Sequence, residues 1–318
     1  MPPAKSVNKI FPITTFISDL PTSLIPPPLR SSSENGGASG RLIIVGDVHG
    51  MRKSLEALLD KVGFDKSKGD HLILVGDLVN KGPDSPGVVD LAIKLGASAV
   101  RGNHENAVLN AAAEIKATKD DLLYPGGLTG SPTIPENHEA DLHTVRDFEI
   151  PDKYVSGIAS GISMRHSAAT YSTASVLSTR QLDWLAALPL ILRVKLPHIP
   201  TSSLGDTLIV VHAGLVPSVS LEDQDPYALM HIRSLVRTSG DEDRFMLAEV
   251  SGEESWVVEW NRYAIGLDSA CLYGHKLSAI VIAASDGEIE HQIFQVECAD
   301  VPVVPTVPVK QEDSPVVA

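Results

Sequence analysis

The sequence predicts an α/β fold built on a parallel sheet, and three observations within residues 41–105 carry that prediction. The first is a set of three short apolar runs. Leu42-Ile43-Ile44-Val45 leads into Gly46-Asp47-Val48-His49-Gly50. Leu72-Ile73-Leu74-Val75 leads into Gly76-Asp77-Leu78-Val79-Asn80-Lys81-Gly82. Ala97-Ser98-Ala99-Val100 leads into Arg101-Gly102-Asn103-His104-Glu105. Four-residue apolar runs bounded by glycine read as buried strands of a parallel sheet. The second is the helical apolar spacing of the connecting segments, residues 54–62 and 88–95. The third is the order strand, helix, strand, helix, strand. In such a sheet the carboxyl ends of the strands form the ligand crevice. Asp47, His49, Asp77, Asn103 and His104 are therefore expected on one edge.

The rest of the chain follows in order. Residues 1–40 are rich in Pro, Ser and Gly and are expected to be a disordered arm. Residues 106–119 continue as a helix, with Ala107, Val108, Ala111, Ala112 and Ile115 on one face. Residues 120–171 show little pattern and are expected to be a loop-rich insertion. Ser178 or Thr179 caps a helix that buries Leu182, Leu185 and Ala186 and ends at Pro189. Residues 190–194 and 207–211 read as strands, the second ending in His212-Ala213-Gly214-Leu215. Residues 277–283 and 289–296 are expected to close a second sheet as a hairpin around Asp286-Gly287. Residues 301–318 are expected to be a loose tail.

Bulk properties narrow the function. The 318 residues include 43% apolar side chains, enough for a sizeable core. A formal net charge of −14 argues against non-specific nucleic-acid binding. An anionic substrate would then need locally placed cations, and bound metals are the obvious source. The two cysteines, Cys271 and Cys298, make no disulfide framework and suit a reducing compartment. No run reaches the ~18 apolar residues of a membrane span. The expectation is a soluble, cytoplasmic protein.

The polar residues after the strands form a list of metal ligands. Carboxylates, imidazoles and an amide oxygen suit zinc, manganese, iron or magnesium, and no thiolate is among them. Each residue alone has a plainer reading. Asp47 and Asp77 could cap helices, Asn103 could supply a left-handed turn, and Lys81 and Arg233 could be surface charges. The combination, in this order and about 25–30 residues apart, points to a metal site. His138, His143, His166 and His198 lie in low-pattern loops and read as solvated, and Trp256 and Trp260 read as packing residues.

These motifs resemble those of the calcineurin-like metallophosphoesterases, which carry GDxHG, GDxxxRG and GNHE in this order. Lys81 stands where the protein phosphatases have arginine. With Gly82-Pro83-Asp84-Ser85 after it, the pattern is similar to the ApaH-like branch, which includes fungal polyphosphatases and dinucleoside-tetraphosphate hydrolases. The resemblance covers residues 41–300, and through the vacuole-associated fungal polyphosphatases it implies vacuolar association as the alternative to a cytoplasmic location. It implies a sandwich of two mixed sheets flanked by helices, with two divalent metals (Mn, Zn, Fe, Co or Mg) at the strand ends.

By the same resemblance, Asp47, His49 and Asp77 hold the first metal. Asp77 bridges to the second, which also takes Asn103 and His212. Two cations about 3.5–4 Å apart repel and need such a shared carboxylate. A hydroxide shared between them would attack phosphorus, with His104 as general acid and Lys81 and Arg233 steadying the substrate oxygens. The implied reaction is hydrolysis of a phosphoanhydride, polyphosphate or dinucleoside polyphosphate, or of a phosphomonoester. A degraded family member that only binds phosphate or metal, and a protein serine/threonine phosphatase, are the alternatives.

Two departures stand out. Asn80 replaces an aspartate that pairs with the acid histidine in many relatives. A segment carrying the family's last metal histidine is missing near residues 261–263, and Gly274-His275 is a lookalike of that motif.

Overall fold

The computed structural model describes residues 10–26, 40–123, 165–199, 202, 204–217, 219–237, 245–248, 264–285 and 288–303. Strands β1 (Ile17–Asp19) and β2 (Leu42–Val45) precede helix α1 (Arg52–Lys61), β3 (His71–Leu74), α2 (Ser85–Leu95), β4 (Ser98–Ala99) and α3 (Asn103–Leu123). Then come α4 (Ala168–Val176), α5 (Thr179–Ala186), β5 (Ile191–Lys195), β6 (Thr207–Val210) and α6 (Pro226–His231). A two-stranded ribbon, β7 (Ser234–Arg237) and β8 (Phe245–Ala248), and the long pair β9 (Lys276–Ser285) and β10 (Glu288–Glu297) follow.

The five-stranded sheet has the order β10-β9-β2-β3-β4. Strands β2, β3 and β4 are parallel, with Leu42 opposite His71 and Ile73 opposite Ser98. The three-stranded sheet has β5 between β1 and β6, parallel to the first and antiparallel to the second. Both sheets are therefore mixed, as expected.

Alternation along the strands makes the layers. Leu42, Ile44 and Ile73 face the smaller sheet and pack with Leu192, Val194, Val210, Ile280 and Ile282. Ile43, Val45, Leu72 and Leu74 point the other way, onto Leu55 and Leu58 of α1, Val88 and Val89 of α2, and Leu185 of α5. Both faces of β2 and β3 are covered, which is why these strands read as unbroken apolar runs. Each such fully buried side chain stabilises the fold by about 1.5–3 kcal/mol relative to exposure.

Caps set the helix starts. The Asp84 side chain accepts from Gly87 N at 2.8 Å and starts α2. Ser178 and Gln181 form a capping box on α5. Met51 gives α1 no side-chain cap. Asp300 does so from the far end of the chain, accepting Ser54 N at 2.8 Å and Ser54 Oγ at 2.7 Å.

Three expectations are corrected. Part of the arm expected to be disordered belongs to the fold: β1 pairs with β5, and Ile10, Ile13, Phe16 and Ile17 pack on Leu190, Ile191, Leu229 and Met230. The β9–β10 pair does not close the second sheet. It extends the first, because β9 pairs with β2 antiparallel, Val45 opposite Ala279. Both ends of the expected loop-rich insertion are helical, residues 120–123 in α3 and residues 168–171 in α4. Residues 124–164 of that insertion, the turn at Asp286-Gly287, Trp256, Trp260, the missing segment near 261–263 and most of the tail lie outside the described residues.

Candidate metal centre

The strand–loop junctions after β2, β3, β4 and β6 meet at one end of the larger sheet. They place Asp47, His49, Asp77, Asn103, His104 and His212 in one cluster. Asp77 is its centre. His212 Nε2 lies 3.5 Å from Asp77 Oδ1, His49 Nε2 3.5 Å from Oδ2, and His104 Nε2 3.9 Å from Oδ2. His212 Nδ1 lies 3.9 Å from Asp47 Oδ1, and its Nε2 lies 3.1 Å from Asn103 Oδ1.

The backbone here is unusual. Among the described residues five non-glycine positions have positive φ, and four are in this site: His49 (47°), Asp77 (51°), Asn80 (77°) and Lys81 (68°). Left-handed conformations cost of order 1–3 kcal/mol each and persist only where the surroundings enforce them. Glu105 is part of that enforcement. It is fully buried, and its carboxylate accepts N–H groups from Asp77 (2.8 Å), Leu78 (2.7 Å), Val79 (3.2 Å) and Gly102 (2.8 Å). Two glycines permit the close approach. A Cβ on Gly102 would collide with the Asp77 carboxylate, and one on Gly76, at φ 94°, would meet His212 Nδ1 at 2.9 Å.

The electrostatics are those of a cluster that wants cations. Burial pushes the Asp47 carboxyl well above its usual range, against the pull of His212. Burial opposes ionisation of Asp77 too, but His212, His104 and His49 outweigh it and hold its carboxyl low. Burial would lower His212, yet Asp77, Asp47 and Glu105 push it up to about 9. Burial lowers His49, and lowers His104 to about 3. Burial also lowers Lys81, which is drawn to Asp77 and repelled by Arg233.

The residues fit a metal. Two groups, His49–Asp77–His104 and Asp47–Asp77–His212, each present three ligand atoms within 4.8 Å of one another. Asp77 belongs to both. His49 Nδ1 is buried with no hydrogen-bond partner; the Val79 carbonyl attracts the ring without reaching hydrogen-bond geometry. Oxygen and imidazole donors without thiolate suit a divalent cation.

All the expected ligand residues and His104 are in this cluster. Lys81 is half-buried beside it, and Arg233 is exposed near enough to repel Lys81. His275 is exposed and belongs to neither group. Three residues that sequence reasoning did not assign also bear on the site. Glu105 was visible inside its motif, but its four N–H contacts were not. Thr170 arrives from α4, in a segment without pattern. Asp268 acts on Asp47, His49 and Lys81 through its charge.

Comparison with known proteins gives a consistent picture. The family model described as calcineurin-like phosphoesterase matches residues 40–258. A symmetrical bis(5'-nucleosyl)-tetraphosphatase of Methylobacillus flagellatus is 25% identical over 81% of this chain and 71% of its own length. One of Photorhabdus laumondii is 45% identical over 24% of this chain and 28% of its own. The match spans only 28% to 47% of the length of the first five curated relatives. A crystal structure provisionally assigned as a diadenosine tetraphosphatase superposes with a TM-score of 0.54 at 28% identity, covering 89% of this chain and 98% of that one.

Proposed function

The chain belongs to the calcineurin-like phosphoesterase family, and on that premise we propose that it hydrolyses phosphoanhydride bonds with the help of two divalent cations. The observation that carries this is the set of two carboxylates and three imidazoles centred on Asp77, with Asp77 and His49 buried and Asp47, His104 and His212 half-buried. A dinucleoside polyphosphate is the favoured substrate, since relatives covering most of the chain carry that name. Polyphosphate is the second candidate.

Asp47, His49 and Asp77 would hold one cation, and Asp77, Asn103 and His212 the other. Bound there, divalent cations neutralise phosphoryl charge and make water more acidic. The chain's own residues do the remaining work. Asp77, present in both donor groups, supplies the shared negative charge. Glu105 holds the 77–79 backbone so that Asp77 points inward. His104 faces the cluster through Nε2 and is the donor to the leaving oxygen. Lys81 and Arg233, close enough for Arg233 to lower the pKa of the Lys81 ammonium through its charge, would bind non-bridging phosphoryl oxygens. Among the described residues no helix is long and apolar enough to cross a membrane.

The test is elemental analysis after dialysis against manganese or zinc, followed by cleavage of diadenosine tetraphosphate to mononucleotides and of polyphosphate to shorter chains, both read by chromatography. Close to two metals per chain with metal-dependent cleavage is expected. Fully loaded protein that hydrolyses neither compound would overturn the reading and leave a metal- or phosphate-binding protein.

A further inference from the structure

Asn80 is buried between the site and α4, and its amide makes four contacts at hydrogen-bond distance, one of them from Thr173 Oγ1 to Oδ1 at 3.5 Å. Its Oδ1 lies 3.0 Å from the Lys81 backbone N–H. Its Nδ2 lies 2.9 Å from His104 Nδ1 and 3.0 Å from Thr170 Oγ1. The two ends of an amide look alike in shape, so orientation must be argued from partners. Here the Lys81 N–H decides it. A backbone N–H can only donate, so Oδ1 must face it. The reverse orientation would set two donors against each other at 3.0 Å. The amide nitrogen, which can only donate, is thereby aimed at His104 Nδ1.

Thr170 is compatible with this direction, since a hydroxyl accepts as well as donates. Its hydroxyl accepts from Asn80 Nδ2 and lies 2.9 Å from Ser167 Oγ, which in turn accepts the Thr170 backbone N–H at 3.2 Å. In histidine the hydrogen bond made by one ring nitrogen sets which nitrogen carries the proton. A nitrogen that receives an N–H donor holds a lone pair there. His104 Nδ1 is therefore bare, and the ring proton is on Nε2, which faces Asp77 Oδ2 at 3.9 Å and the His49 ring.

We propose that Asn80 is a positioning residue that holds His104 as a neutral Nε2–H hydrogen-bond donor, and that this restricts the site to leaving groups stable as anions. This rests on the hydrolase reading above and gives its preference for phosphoanhydrides over alkyl phosphates a cause in Asn80 and His104. In the reaction a water oxygen forms the new P–O bond. The P–O bond to the leaving group breaks and that group keeps the electron pair. The spare proton of water passes to solvent. A phosphate or nucleotide leaving group departs as an anion and needs only the hydrogen bond from Nε2–H. An alkoxide, as from a serine or glycerol phosphate, needs a full proton as it departs. Neutral His104 could give that proton only by becoming an imidazolate. General acid catalysis contributes about 10²–10⁴-fold where it operates, and alkyl phosphates would forgo it here.

The deciding experiment is nitrogen NMR on the full chain labelled with 15N-histidine, with His104→Gln used to identify the His104 signals by their loss. The expected spectrum shows a bare Nδ1 and a protonated Nε2. A proton on Nδ1 overturns the proposal, whether or not the protein is an active hydrolase. In parallel, manganese-loaded protein is given diadenosine tetraphosphate and glycerol phosphate. The anhydride should turn over at least about 100-fold faster; equal rates overturn the substrate restriction. Asn80→Asp replaces the donor with a pure acceptor. It should move the proton to Nδ1 and raise glycerol phosphate turnover relative to the anhydride by about tenfold or more. If no substrate is cleaved, the hydrolase reading and the substrate restriction both fall, while the NMR still decides the role of Asn80.

Discussion

Glu105 and Asp77, 28 residues apart, are joined by a 2.8 Å hydrogen bond from the Asp77 backbone N–H to Glu105 Oε2. The same carboxylate takes three further N–H groups. Burial and the nearby Asp77 push the Glu105 carboxyl up to about 7, while the amide donors favour its charged form. Glu105→Gln would turn one oxygen into a donor facing donors. The expected cost is about 2–4 kcal/mol of stability, read from the urea midpoint. Manganese affinity should fall as well, because Asp77 loses its support.

Asp77→Asn removes the charge shared by both donor groups. Calorimetric titration with manganese should show affinity lower by at least about 100-fold, and cleavage of diadenosine tetraphosphate should be lost. The fold should survive, since the neighbouring positive charge on His212 is relieved along with its partner. Undiminished cation binding would remove Asp77 from the centre of the site.

Asp70 ties the start of β2 to the start of β3. It accepts Arg41 N at 2.9 Å, Arg41 Nη2 at 2.6 Å and Asp65 N at 3.0 Å. Burial would raise its carboxyl, but the Arg41 and backbone hydrogen bonds outweigh burial and hold it below the usual value. A depressed folded-state value means stability that is present above about pH 3.9, the unfolded value, and lost as pH falls through the folded value. Asp70→Asn should cost about 1–3 kcal/mol at pH 7. Wild type and variant should converge as the pH drops below 4, in urea titrations across that range.

Arg101 is fully buried at the end of β4, and it fastens the N-terminal segment. Its guanidinium donates to the Phe11, Pro12 and Ala186 carbonyls at 3.1, 3.3 and 2.6 Å, and it lies 5.8 Å from the Phe11 ring centroid. Arg101→Met keeps the stem and removes the donors. Hydrogen exchange should then speed up at Phe11, whose N–H is bonded to Asn106 Oδ1 at 2.8 Å. Protection in β3 should be unchanged, since its ladder to β2 does not involve Arg101.

Sequence alone determined the parallel core and which residues gather at the candidate metal centre. The reason is that both are written locally. Apolar runs of four mark strands covered on two faces, and the polar residue following each run must emerge at the strand's carboxyl end. Three such junctions in parallel register have to share an edge, so Asp47, Asp77 and Asn103 could be brought together without coordinates. Tertiary structure alone decided which strands lie side by side and what surrounds the ligands. The apolar run of β9 would fit either sheet; its pairing with β2 is a choice between distant partners that no local pattern records. The arm looked solvated by composition, yet its few apolar side chains find a surface made by β5 and α6. The amide cage of Glu105, the cap that Asp300 gives α1, and the Asn80–His104–Thr170 chain each join residues far apart in sequence. Their meaning lies in the direction of a hydrogen bond, which residue types permit but only packing fixes.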